Sequence, residues 1–323
     1  MKLVKKILTR LNGLHYTQEY LCIAREIFKE PLHVYIVEEG KPVKDITCSH
    51  LFTGYCPLVF AFASATIPSE KISLEVAFSK DVLPTNALIK KEKIIASLSL
   101  KKIAQQTMED EQLFYYEGIT GSHHFLSHFH QRVILLNNRL YNRKPGNVFL
   151  NDNLYTQVQI AYSIPRKISL ITVGQGNLYN HFPTDLHGQV NDNFYVISLR
   201  HEGQACRQVE LAKKIVLSDM EATSYKQVYA LGKNHMQSLK EKAAFDFDLN
   251  VSKFSHLPLP KNLTYYKELE LQESFIHGIH RFFLFKIIYA EKISQGPQTL
   301  AHIHNVYATW RYKKNLESNY LMR

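Results

Sequence analysis

The chain reads as a mainly β protein with helical decoration. Tyr and Phe are abundant, at 19 and 18 among 323 residues, and aromatic side chains suit the pleated, half-buried surface of a sheet. Short apolar runs recur between turn signals, the pattern of strands joined into a barrel or sandwich. Hydrophobic residues make up 45% of the chain and charged ones 21%. That is enough to bury a core, and too little charge for a disordered polymer.

Taken in order, residues 17–29 (TQEYLCIAREIFK) put Tyr20, Leu21, Ile23, Ala24, Ile27 and Phe28 on one helical face, with Thr17 as the cap. Strands are expected at 32–39, 56–63 and 71–78. Residues 88–100 are amphipathic and then strand-like, and 113–119 and 132–138 read as further strands. The stretch from Tyr141 to Pro145, Gly146 and Asn147 is a turn. Beyond it, 155–165, 166–174 and 194–200 read as strands, 204–214 as a short helix and 215–220 as a strand. Residues 257–263 form a proline-punctuated crossing, 265–275 and 280–293 a long hairpin, and 299–314 an amphipathic helix. At roughly 100–200 residues per domain, the length allows two, expected at 1–150 and 151–323.

The formal charge of +10 is carried by scattered pairs such as Lys5-Lys6, Lys90-Lys91 and Lys213-Lys214, with no block of five or six like charges. This describes a solvated basic surface, so no nucleic-acid partner is assigned. Cys22, Cys48, Cys56 and Cys206 form no C-x-x-C, which excludes a zinc ribbon or a thioredoxin-type site. Scattered thiols suit a reducing compartment. The basic N-terminus lacks a signal-peptide apolar region, and no apolar run reaches 18 residues. The expected location is the cytoplasm, without membrane contact. His123, His124, His128 and His130 could offer two metal ligands from one helix or strand face. With no HExxH and few carboxylates nearby, no metal site is assigned. His302 and His304 read as helix-surface or packing residues.

Pro31, Gly40 and Gly54 recur 134 residues later as Pro165, Gly174 and Gly188. Val34, Ile36 and Val37 then fall on Ile168, Leu170 and Ile171, so the apolar alternation agrees, and KKEKIIASL (90–98) is similar to AKKIVLSDM (212–220). These matches raise an internal duplication.

From Pro165 the chain runs as a strand to Val173, then to Asn180, Pro183 and Thr184. A strand from Tyr195 to Arg200 follows, then a helix near Gln204 to Lys214 and a strand from Ile215 to Ser218. A strand from Leu263 to Ser274 precedes GIHRFFLFKIIYAEK (278–292), where a Gly and a His lead an aromatic-rich run. This order, over about residues 160–295, resembles the flavin-reductase-like, FMN-binding split β-barrel family. The resemblance implies a Greek-key split barrel, possession of FMN rather than FAD, and NAD(P)H as electron donor. It also implies a homodimer with flavin near the subunit interface; a duplicated chain would carry that interface within itself, as an internal pseudo-dimer.

Read alone, residues 180–188 are a loop of turn formers. The resemblance makes Asn180, His181, Pro183, Thr184 and Asp185 the loop that reads the flavin ring. It makes Ser198, Leu199 and Arg200, with Gln204 at the helix start, the phosphate end. Arginine, hydroxyls and a helix N-terminus all suit a phosphate. Lys233 and His235 form a polar cluster within reach. The family often has a Thr at the helix start, where this chain has Ala205-Cys206. The first half has Ile46, Ser49 and His50 at the offset of Asn180, Pro183 and Thr184, so no second flavin site is expected. The expected activity is that of a flavin reductase or flavin-dependent electron carrier. The alternative is a non-catalytic ligand-binding or interaction protein on the same scaffold.

Overall fold

The computed structural model describes residues 2–23, 32–141, 148–294, 300–316 and 320–321. The first half contains α1 (Lys2–Leu11), β1 (Tyr20–Ile23), β2 (His33–Glu38), β3 (Lys41–Asp45), β4 (Leu51–Tyr55), β5 (Leu58–Ala63), β6 (Ser73–Ser79), β7 (Ile94–Thr107), β8 (Gln112–His123) and α2 (His128–Tyr141). There follow α3 (Asp152–Ala161), β9 (Arg166–Lys167), β10 (Ser169–Gln175), β11 (Leu178–Thr184), β12 (His187–Gln189), β13 (Phe194–Arg200), α4 (Gln204–Ala212), β14 (Lys214–Met220) and α5 (Tyr225–Ala230). The chain continues with β15 (Lys240–Glu241), β16 (Phe247–Val251), β17 (Pro258–Pro260), β18 (Leu263–His277), β19 (His280–Lys292), β20 (Ala301–His304), α6 (Asn305–Lys313) and β21 (Tyr320–Leu321). The mainly β reading with helical decoration holds. No helix among the described residues is long and apolar enough to cross a membrane.

Two large antiparallel sheets dominate, in the orders β3-β2-β6-β7-β8-β5-β4 and β12-β13-β19-β18-β14-β10-β11-β15. Neither closes on itself. Numbered within each half, and leaving out the short β15, the seven strands of both sheets run 2-1-5-6-7-4-3. The tight hairpins follow local chemistry. Glu38 pairs with Lys41 across Glu39 and Gly40, both at positive φ, as a type I′ turn requires. Gly176 (φ +60°) and Gly278 (φ +58°) each open a two-residue turn, the position that type II′ gives to glycine.

Each half has its own core, and a third lies between them. In the first, Phe52, Phe60, Phe78, Leu98 and Phe114 pack against α3 and α6 through Val158, Ile160, Val306 and Tyr307. In the second, Phe182, Ile197, Ile215, Phe283 and Phe285 enclose Ala205, Cys206 and Val209 of α4. Between the sheets, Val59, Ala61, Leu113 and Tyr115 meet Phe194, Val196, Phe282 and Leu284. Gly54 faces Val59, which faces Glu117; Gly188 faces Val196, which faces Leu284. In that register Tyr115 corresponds to Phe282, and these two rings touch edge to face at 5.5 Å.

Several elements differ from expectation, each for a packing reason. Residues 132–138 lie in α2, because an unbroken apolar run suits a helix as well as a strand. Residues 155–165 begin in α3, which is buried almost all round and so lacks the one-sided period of a surface helix. Tyr20–Ile23 is a strand, not part of a helix: it is buried between β20 and β21. Residues 24–31 and the expected turn at 142–147 lie outside the described residues. The expected C-terminal helix is preceded by β20. Residues 90–98 run into β7, whose place in its sheet is that of β18 rather than β14, so that part of the expected repeat does not follow the strand order.

A Cβ at Gly278 would collide with the Cys56 carbonyl and with Pro57, while at Gly176 it would meet nothing within 4 Å. Gly176→Ala is therefore expected to cost only the backbone strain, about 1–3 kcal/mol. Gly278→Ala adds an overlap of about 1–3 kcal/mol. Urea denaturation of the two variants measures the difference; equal losses would contradict the close approach at Gly278.

Candidate functional site

A cavity of about 450 Å³ lies where the second sheet, α4 and the first half meet. Its size falls within the range of roughly 300–1,000 Å³ usual for ligand pockets. The end of β11 and the following loop contribute Pro183, Thr184, Asp185 and Leu186. The end of β13 contributes Ser198, Leu199 and Arg200, and the start of α4 contributes Gly203, Ala205 and Cys206. His235 and Met236 come from the helical turn at Leu231–Met236, and Tyr229 from α5. Tyr55, His280 and His302 complete the wall.

Backbone bonds hold these segments in place. Ser198 N–H donates to Leu186 O (2.9 Å), tying β13 to the loop, and Gly203 N–H donates to Arg200 O (3.0 Å), turning the chain into α4. A Cβ at Gly203 would sit 3.2 Å from Arg200 O and 3.3 Å from His235 O, so glycine allows these strands of chain to converge. No side chain caps the start of α4. Its first N–H groups therefore lack side-chain acceptors and carry the positive end of the helix dipole.

Of the expected residues, Pro183, Thr184, Asp185, Ser198, Leu199, Arg200 and His235 line the cavity together. Asn180, His181, Gln204 and Lys233 do not. Asn180 is buried and donates to Gln208 Oε1 (2.6 Å) and Asn234 O (3.0 Å), while Asn234 donates back to His181 O (2.8 Å). This exchange fastens the His235 segment to β11. His181 turns to the other face of β11, bonded to Thr172 Oγ1 (2.9 Å) and packed on Phe247. Gln204 and Lys233 are exposed. Tyr55 and His302, which the sequence did not single out for the site, come from 145 residues before Arg200 and 117 after Asp185. No spacing signal spans such distances.

The first half takes a direct part. Arg200 Nε donates to Tyr55 Oη (2.7 Å), Ser198 Oγ donates to Thr53 O, and Ile279 N–H donates to Cys56 O (3.0 Å). The electrostatics are uneven. Asp185 is buried, which pushes its pKa up, but hydrogen bonds from His302 and Tyr162 outweigh this and hold it below the ordinary value. Burial and the Arg200 charge drive His280 down to about 3. Burial, with Arg200 adding to it, lowers His235, whose Nε2 donates to Pro183 O (2.7 Å). Burial pushes the Cys206 thiol up to about 11, so it remains protonated. Among the described residues, no three His, Cys, Asp or Glu side chains are gathered as a metal site needs. His123 bonds Gln159 (2.9 Å) and His130 bonds Ser127 (2.8 Å).

No family model matches the chain, and no curated protein matches it. Among solved structures it is similar to the NADH:FAD oxidoreductase SgcE6 of Streptomyces globisporus, at 15% identity and TM-score 0.42, over 49% of this chain and 94% of that one. It is also similar to an FMN-binding protein from Thermus thermophilus, at 15% identity and TM-score 0.38, over 43% and 86%. Flavoredoxin from Methanosarcina acetivorans is a third, at 15% identity and TM-score 0.36, over 41% and 70%. Structures described as flavin reductases are also among the similar ones.

Buried neutral histidines give the fold an acid limit. Burial holds His50 and His280 near 3 and His123 and His181 near 4. In the unfolded chain all four take up protons near 6.5. Between 6.5 and about 4 the unfolded state binds more protons, so stability falls as the pH falls. Each contributes a slope of up to about 1.4 kcal/mol per pH unit. Urea denaturation at pH 7.5, 6 and 5 checks this; a flat profile would contradict neutral burial.

Proposed function

We propose that the chain is a flavin-binding redox protein that takes FMN in this cavity. The observation that carries the reading is the convergence of Arg200, an uncapped helix start and a loop at a strand end on one cavity of about 450 Å³. The phosphate end of FMN would meet Arg200 and the first N–H groups of α4. Ser198 is no donor there, since its hydroxyl proton goes to Thr53 O. The flat ring would lie along Pro183–Leu186, with Leu186, Val228 and Met236 as apolar wall. When bound, the flavin supplies the redox chemistry, and the protein orients it. NAD(P)H is the proposed donor, sharing the same cavity, for a flavin reductase or electron carrier of split-barrel architecture.

The shared strand order supports an internal duplication, with residues 1–150 acting as a partner subunit to 151–323. In the register anchored by Gly54 and Gly188, Ala63 stands where the second half has Arg200. The first half thus lacks the cation, and lends Tyr55 to the other half's site. One observation favours the second reading, a binding protein without turnover: Ala205 and Cys206 give the helix start no hydroxyl for a phosphate.

Arg200→Ala is expected to weaken FMN by about 1.5–3 kcal/mol, roughly 10- to 150-fold in Kd. Riboflavin, which has no phosphate, should bind wild type and variant alike. Flavin absorption after removal of excess ligand reads both. FMN held equally by the variant would overturn the phosphate assignment. NADH oxidation by the FMN-loaded protein separates the reductase from the binding module.

A further inference from the structure

The helix that opens the chain turns its apolar face away from the protein. At about 3.6 residues per turn, Ile7, Leu8 and Leu11 share one face of α1 and Thr9 lies on the opposite one. Thr9 is buried, while the three apolar side chains are exposed. Gly13, at φ +71°, ends the helix: its N–H donates to Arg10 O (2.9 Å) and Leu14 N–H to Thr9 O (3.0 Å). That end is tied down. Asn137 of α2 donates to Asn12 Oδ1 (2.5 Å), and Lys313 Nζ donates to Gly13 O (2.8 Å). α2 is apolar on two sides. Ile134 is buried in the first half's core. Phe129, Leu136 and Leu140, spaced by seven and four, form a straight stripe on another side. The six outward side chains of the two helices are 46–69% exposed. Single exposed apolar residues are ordinary, but two stripes on adjoining helices mark a surface that meets a partner.

Charge names the partner. Lys6 and Arg10, one turn apart, flank the α1 stripe, and Arg132 and Arg139 flank that of α2; all four are exposed. Neither helix contains an acidic residue. A second copy of this chain would set these cations against one another across a two-fold interface. An acidic peptide needs a groove, whereas both stripes project from convex helix surfaces. The headgroup layer of a bilayer yields, so it admits all six apolar side chains while its anions meet the basic rim. We infer that α1 and α2 form a docking face for an anionic lipid surface, with the apolar stripes entering the headgroup boundary. The expectation of no membrane contact rested on the lack of an apolar run, but a helix lying on a membrane needs only a stripe. The inference goes beyond the flavin reading and does not depend on it.

The test is sedimentation of the full chain with vesicles of phosphatidylcholine, alone or with about a quarter of phosphatidylserine. Wild type is expected to bind the anionic vesicles, and to lose binding as salt rises from about 0.1 M to about 0.5 M. Arg10→Gln with Arg132→Gln should weaken binding about 30-fold. Ile7→Gln with Leu11→Gln, or Leu136→Gln with Leu140→Gln, should weaken it about 10-fold or more. All these positions are exposed, so the urea midpoint and FMN retention should stay at their wild-type values. Wild-type binding that ignores phosphatidylserine, or apolar variants that bind as wild type does, would overturn the inference. So would a dimer, seen by light scattering, that the apolar variants dissolve, since the face would then belong to a second copy. A monomer that binds neither vesicle also overturns it, and leaves an acidic protein as the partner. Should a variant not fold, the lipid and salt dependence of wild type decide the matter.

Discussion

The close approach of β4 and β5 to the second sheet is the constraint from which the rest follows. Gly54 lies where a Cβ would press on Phe282 at 3.0 Å, and Gly188 where a Cβ would run into Leu51. Each sheet therefore gives up a side chain at the same register position so that the other's apolar side chain can enter. Phe282 and Val59 fill the space at Gly54 and Leu51 that at Gly188, and Tyr115 and Val196 belong to the same buried cluster. Aromatic pairs at such a seam prefer edge-to-face contact, as Tyr115 and Phe282 adopt. A larger residue at either glycine would separate the sheets and open the seam to water.

The cavity inherits its shape from that seam. Thr53, Tyr55 and Cys56 lie on β4 or just beyond it, and each bonds to the wall or rim of the cavity. Moving β4 outward would release the Ser198 hydroxyl, free the Arg200 side chain and unpin the Gly278 turn together. The terminal segments add a second tie. β1 pairs with β20, which brings His302 to Asp185, and α6 packs its Val306 and Tyr307 into the first half's core. The halves thus share elements, and the site uses residues from both.

What could be read from the sequence followed the range of the interactions. β10, β13, α4 and β14 were legible because each is a local pattern bounded by turn formers, and their order located six wall residues, with His235 found separately. Residues 180–184, read as a loop of turn formers, instead form the end of strand β11, because pairing with β10 overrides their turn propensity. Asn180 was legible as important but not as to its role. Its amide fixes the Leu231–Met236 segment by bonds across 54 residues, which no local pattern encodes. Tyr55, His280 and His302 reach the cavity through strand pairing and sheet packing. For His302 the local run even suggested a helix, since His-Ile-His gives no sign that β1 will cover it. α3 was misread because burial on all sides erases the period from which a helix is recognised.

The sign of the cavity's field does not come from the chain's net charge. Its basic pairs are scattered along the chain, and among the described residues no lysine lines the wall. Asp185, the one carboxylate in the wall among the described residues, is taken up by His302 and Tyr162. His280 and His235 are held neutral partly because Arg200 is nearby. What remains is a single guanidinium, anchored through Nε to Tyr55, beside the start of α4. One cation held in place by Tyr55 and a helix dipole meet an anion at the same spot, whereas scattered surface lysines do not converge on one. The first half, with Ala63 at the matching register position, has no such centre of charge. Two sheets of the same strand order therefore differ in charge at one register position, with Arg200 at the end of one fourth strand and Ala63 at the end of the other.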